Sequence, residues 1–120
     1  MHVEQFRAYC LSKPMVTEEF PFDETTLVFK VCGKMFALTG LESIEFKVNL
    51  KCDPEKALEL RETYESIIAG FHMNKKHWNT VTVDGSFSDK FFYDLIDHSY
   101  DMVVKGLPKK IRDQLDSEKL

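Results

Sequence analysis

The sequence predicts an α+β fold, a two-layer sandwich in which an antiparallel sheet carries helices packed on one face. Three observations predict it. Ser43 to Lys51 alternates Ile44, Phe46, Val48 and Leu50 against Glu45, Lys47, Asn49 and Lys51, the pattern of a strand in a sheet with one covered and one wet face. The expected order, helix, strand run, helix, strand, long helix, short helix, does not alternate regularly enough for a doubly wound parallel sheet. A length of 120 residues, 43 % hydrophobic and 30 % charged, fits a single globular domain spanning residues 1–120 with one core.

Each element has its own signal. His2 to Lys13 reads as a helix, with Val3, Phe6 and Cys10 on one stripe and Pro14 as the stop. Met15 to Glu24 holds four acids around Phe20-Pro21-Phe22 and shows no periodicity. It reads as a loop, with Phe20 or Phe22 tucked against the core edge. Thr25 to Cys32 and Met35 to Thr39 read as a hairpin turning at Gly33-Lys34, with Phe36 and Leu38 on one face. Asp53-Pro54-Glu55 is a helix start: a capping carboxylate, a proline suited to the first turn, and an acid at the positive end of the dipole. The stripe that follows, Leu60, Tyr64 and Ile67, carries the helix toward Gly70.

His77 to Asp84 is the next strand, with Trp78, Thr80 and Thr82 opposite Val81 and Val83. Phe71 to Met73 is a candidate strand beside it. Ser88 caps the longest helix, to Leu107, whose inward stripe is Phe92, Leu95, Ile96, Ser99, Met102 and Val103. A short helix from Pro108 closes the chain, anchored by Ile111 and Leu115.

Composition excludes several classes of function. No apolar run approaches the ~20 residues a membrane helix needs, and the first residues lack the apolar stretch of a leader. Cys10, Cys32 and Cys52 are odd in number and widely spaced, as expected for reduced thiols in a cytoplasmic protein. A phosphate loop, a nucleophile elbow and a His-Glu-x-x-His helix are all missing, so no enzyme is expected. His72 and His77 have no evident third partner, and neither a metal nor a cofactor is implied.

The net charge of −4 means that any nucleic-acid role must rest on local segregation of cations. Two acid-free stretches offer it. One, Thr26 to Leu41, carries Lys30 and Lys34. The other, Ser66 to Val83, carries Lys75, Lys76, His77 and Trp78. Trp78 has two readings. Its indole is either covered by a helix or loop, or exposed beside Lys47 and Lys51, where it could stack a base.

The segments Val28 to Ala37, Leu50 to Glu55, Tyr64 to Gly70, Asn74 to Asn79 and Ile96 to Tyr100 together resemble the MmcQ/YjbR-like family, in order and over nearly the whole chain. The resemblance implies a frataxin/CyaY-like two-layer fold with a double-wing DNA-binding motif, in small cytoplasmic bacterial proteins. The wings would be the hairpin at Gly33-Lys34 and the segment from Asn74 to Trp78. Their contacts would be Lys30, Lys34, Lys47, Lys51, Lys75, Lys76, His77 and Trp78. Neither stretch contains arginine, so backbone contacts are expected in place of base reading. The expectation is a non-enzymatic module that binds DNA weakly. The alternative is a protein-interaction or regulatory module whose open sheet face docks a partner.

Overall fold

The computed structural model describes residues 1–118. Helix α1 (Val3–Leu11) lays Phe6 and Cys10, both fully buried, on the sheet. Strand β1 (Val16–Glu19) follows, where the sequence suggested only a loop. It pairs antiparallel with β2 (Thr26–Val31), from Val16 opposite Val31 to Glu19 opposite Val28. Alternation could not reveal it, because its outer residues are held by charge. Arg7 of α1 donates to both Glu18 oxygens at 2.6 and 2.5 Å, and Lys30 of β2 reaches Glu19 at 3.3 Å. Charged residues on a short edge strand are a common guard against further strand addition.

The β2 strand turns through Cys32 and Gly33, both at positive φ as a two-residue type I′ turn requires, into β3 (Lys34–Gly40). The register slips in the middle of this hairpin: Phe29 faces Ala37 but Lys30 faces Met35, leaving Phe36 as the extra residue of a bulge. Phe36 and Ala37 therefore both enter the helix-side core, while Leu38 joins a separate cluster on the other face. The expected Phe36/Leu38 pairing on one face is thus undone by a single inserted residue.

Strand β4 (Lys47–Lys51) begins later than its alternating pattern: β3 ends at Gly40, and of residues 43–46 the Ser43 N–H donates to the Gly40 carbonyl while the Phe46 carbonyl accepts from the Val83 N–H at 2.8 Å. Ile44 is fully exposed, whereas Phe46 packs against Phe6 at 5.7 Å between ring centroids. Helix α2 (Pro54–Thr63) starts as expected, with the Asp53 carboxylate accepting from the Lys56 N–H at 3.1 Å. It stops before Tyr64, which is extended, and Ile67–Ala69 forms strand β5. The helical stripe had continued through Ile67 by coincidence of spacing. Strand geometry puts Ile67 in the core and its neighbour Ile68 on the open face.

Residues 71–73 form the turn from β5 into β6 (Trp78–Thr82), not a strand. Every pairing in the six-stranded sheet, ordered β1-β2-β3-β4-β6-β5, is antiparallel. Helix α3 (Asp89–Lys105), capped by Ser88 Oγ on the Phe91 N–H at 3.1 Å, buries Phe92, Leu95, Ile96, Ser99, Tyr100 and Val103. Helix α4 (Lys109–Glu118) seats Leu115 completely. The helices cover one face only, so the architecture is a two-layer α+β sandwich.

Candidate functional site

The uncovered face is set by register. Lys47 faces Thr82, Asn49 faces Thr80 and Lys51 faces Trp78, while Val28 faces Leu38 and Lys30 follows two residues along β2. The face therefore carries Lys30, Lys47 and Lys51. Lys34 stands at the end of the β2–β3 turn, and Lys75 and Lys76 sit, exposed, in the segment before β6. The helical layer is mixed in sign: α2 carries Glu55, Glu59 and Glu62 with Lys56 and Arg61, and α3 carries Asp89, Asp94, Asp97 and Asp101 with Lys90 and Lys105. Two cations of the open face have acidic neighbours, Glu19 at 3.3 Å from Lys30 and Glu45 at 3.5 Å from Lys47. The exposed Lys47–Glu45 pair contributes roughly 0–1 kcal/mol, whereas Lys30 is partly covered and its bond to Glu19 helps to hold β1.

Trp78 lies on this face as alternation predicts, but its indole is not offered to a ligand. It is 9 % exposed and packs with Val28 and Leu38 beneath Met35 and Met73. The chain after β5 folds back over β6: the Gly70 N–H donates to the Trp78 carbonyl at 2.8 Å, and a Cβ on Gly70 would fall 2.8 Å from Trp78 Cβ. Met73, from the same loop, packs against this cluster. Stacking by Trp78 is thereby corrected to packing, in a small second core.

The basic loop is anchored as well. Arg61 of α2 donates from Nε to Asn79 Oδ1 at 2.6 Å, and through Nη2 to the carbonyls of Lys75 and Trp78. Lys75 Nζ donates to the Gly70 carbonyl at 3.0 Å. His77 is half-buried, and its carbonyl accepts from the Cys52 N–H at 2.8 Å. Among the predicted contacts, Lys76 and Lys34 are thus the outward cations of the two hairpins. Lys47 and Lys51 supply the sheet face, and Lys75 closes its own loop.

Sequence reasoning missed a groove on this face. A groove of about 850 Å³ runs over the sheet between the β1–β2 loop and the β5–β6 loop. Phe22 and Phe71 flank it, each 64 % exposed, and its floor includes Leu38, Lys47, Asn49 and Thr80. Neither loop is loose. Beside Phe22, the Asp23 carboxylate accepts from the Thr25 and Thr26 N–H groups at 2.9 and 2.6 Å. These bonds hold its pKa below the ordinary carboxylate range.

Phe71 is pinned through its backbone. Its N–H donates to Thr80 Oγ1 at 2.9 Å, Thr80 donates to Asn49 Oδ1 at 2.5 Å, and Asn49 Nδ2 reaches the Phe71 carbonyl at 3.5 Å. His72 adopts a left-handed φ of 59° with its ring 4.0 Å from that of Phe71. Both rings are exposed, with polar bonds ordering the backbone of Phe71 and the turn after Phe22. Phe20 and Phe22, expected at the core edge, are both exposed. The available signal was Asp23, whose spacing to Thr25 and Thr26 is that of an Asx turn leading into β2 directly after Phe22.

Other polar contacts tie the elements of the helical layer together. Asp97 accepts from Tyr9 Oη at 2.6 Å and from Lys13 at 2.5 Å, tying α1 to α3. Burial, helped by the bond to Asp97, drives the Tyr9 pKa upward. His98 Nε2 accepts from the Asp53 N–H at 3.1 Å. Among the described residues, no three His, Cys, Asp or Glu side chains group so as to hold a metal ion, and no helix is long and apolar enough to cross a membrane.

The sequence pattern of the YjbR family matches residues 11–102. The chain belongs to the YjbR family. It is 42 % identical over 108 residues to YbdF of Escherichia coli O157:H7, covering 89 % of this chain and 88 % of that one. It is 34 % identical over 112 residues to YjbR of Escherichia coli K12, covering 93 % and 95 %. Among solved structures it resembles Deinococcus radiodurans protein DR2400, with a TM-score of 0.88 and 42 % identity over 94 % of this chain and 86 % of that one. A Pseudomonas syringae protein gives a TM-score of 0.72 at 28 % identity, over 85 % and 98 %. The YjbR-family match spans β1 to most of α3, and so includes both groove-lining loops.

Proposed function

We propose that this YjbR-family protein is a non-enzymatic module that binds nucleic acid weakly, holding phosphates with lysines of its uncovered sheet face and of the two hairpins beside it. One observation carries the reading. In a chain of net charge −4, Lys30, Lys47 and Lys51 share one face of the sheet, with Lys34 and Lys76 exposed at the hairpins beside it, against Glu19 and Glu45 as the neighbouring carboxylates. Ammonium groups without neighbouring arginine forks act as point charges, suited to phosphate and poor at distinguishing bases. Affinity of this kind is small and strongly salt-dependent.

The test is fluorescence anisotropy with labelled oligonucleotides at low and at physiological salt, for the parent protein and for Lys47→Glu combined with Lys76→Glu. Both side chains are exposed, so the fold is retained, whereas Lys75 is left in place because it closes its own loop. Each lost phosphate contact should reduce the log–log salt slope by roughly one unit. Absence of binding at low salt, or equal binding by the double variant, defeats the proposal.

A further inference from the structure

We infer that the groove between Phe22 and Phe71 receives unpaired bases, so that the occupant of the open face is single-stranded nucleic acid. The inference rests on the phosphate-binding reading above and adds to it the strand state of the ligand.

Phenyl rings exposed to 64 % forgo burial that a flexible loop would recover by collapsing onto the nearby sheet. These two do not collapse. Asp23 fixes the loop beside Phe22, and Thr80 with Asn49 clamps the backbone of Phe71. A backbone already held in place loses little conformational freedom when a planar partner stacks on the ring it carries. The groove's volume of about 850 Å³ is within the range of roughly 300–1,000 Å³ that encloses small organic ligands, so it has room for bases.

The charge of the groove selects among planar partners. Lys47 is on its floor, in an exposed pair with Glu45 at 3.5 Å that a phosphate can replace, and Lys51 on the wider face and Lys76 in the β5–β6 loop add further cations, so an anionic, aromatic partner fits. A single strand offers both properties along one chain: π-faces for the two phenyl rings and phosphates for the ammonium groups. A duplex hides its π-faces in the stack and would leave both rings wet.

The experiment compares four ligands of equal length by anisotropy: oligo(dT), a mixed-sequence single strand, the corresponding duplex, and an abasic deoxyribose-phosphate strand. Proteins are the parent, Phe22→Ala, Phe71→Ala and Phe71→Trp, each checked for an unchanged melting temperature. Both rings are exposed and their loops are held by polar bonds, so these variants fold. The expected result is tighter binding of both base-bearing strands than of the duplex or the abasic strand. Phe22→Ala and Phe71→Ala should each weaken oligo(dT) binding by roughly tenfold with the salt slope unchanged. Phe71→Trp should keep its affinity, with the new indole quenched on binding.

Equal affinity for all four ligands, or indifference to both alanine substitutions, overturns the inference while the phosphate-binding reading stands. Indifference to the rings would instead assign the groove to a polypeptide partner. Loss of salt-dependent binding to every ligand defeats the broader reading first.

Discussion

Replacing Ser99 by alanine should destabilise the fold far more than a surface serine would. Ser99 lies in α3, fully buried, with its Oγ accepting from the Lys51 N–H at 2.8 Å and donating to the Phe36 carbonyl at 2.5 Å. Strands β3 and β4 pair directly at Ala37–Leu50, Leu38–Asn49 and Thr39–Val48, and the next rung would join Phe36 to Lys51. The bulge at Phe36 interrupts the ladder there, and one hydroxyl from the helical layer bridges the two strands in its place. Its loss leaves one buried donor and one buried acceptor, each costing roughly 1–3 kcal/mol, partly offset by no longer burying the hydroxyl.

A net loss of about 2–4 kcal/mol follows. With an unfolding entropy of roughly 2.1 cal/mol/K per residue, 120 residues give about 0.25 kcal/mol/K. A loss of ~3 kcal/mol then lowers the melting temperature by about 12 °C. Urea denaturation followed by circular dichroism, with Ser117→Ala on α4 as the exposed control, measures the difference. If Ser99→Ala falls within ~0.5 kcal/mol of the parent, as surface substitutions do, β3 and β4 can pair without the hydroxyl and the bridging argument is wrong.

Three further predictions concern the same layers. Gly70→Ala should cost roughly 1–3 kcal/mol by overpacking against Trp78, and should open the indole to acrylamide. Unchanged quenching would show that the loop does not depend on that close approach. Burial, with Lys56 nearby, lowers the His98 pKa below its ordinary 6.5, so the folded state binds its proton less readily than the unfolded chain. The stabilising contribution is whole above pH 6.5 and is lost as pH falls through the depressed folded value. His98→Gln should therefore flatten stability against pH in that window, and an unaltered slope in urea titrations would exclude it. Finally, Cys10 is fully buried with its thiol pKa driven upward, and burial pushes Cys52 up to about 11, whereas Cys32 is only partly covered. A thiol-reactive chromophore should therefore label Cys32 alone until the protein unfolds, and rapid labelling of two or three thiols would contradict the packing.

Local chemistry was legible wherever it was self-contained. Asp53 and Ser88 announce helix starts because a cap needs only its own three following amides, and both accept from the expected N–H groups. Val48 and Leu50 declare a strand by alternation, and the α3 stripe declares its buried side. The resemblance quoted from Val28 to Tyr100 carried the fold class and the family. The cationic stretches were also visible, since a run without acids is a property of the chain itself.

Tertiary structure decided the features that depend on a distant partner. Strand β1 exists because β2 offers a free edge and Arg7 and Lys30 hold its glutamates, and Val16–Glu19 alone shows no such pattern. The bulge at Phe36 reverses the facing of one residue, which no period-two reading can foresee. Trp78 was assigned to the correct face with its cover left open, because only the folded chain shows Met73 packed against its cluster from a loop that closes at Gly70. The exposure of Phe22 and Phe71 has the same origin. Sequence sets which side of a strand a residue takes, whereas burial depends on what the rest of the chain places above it.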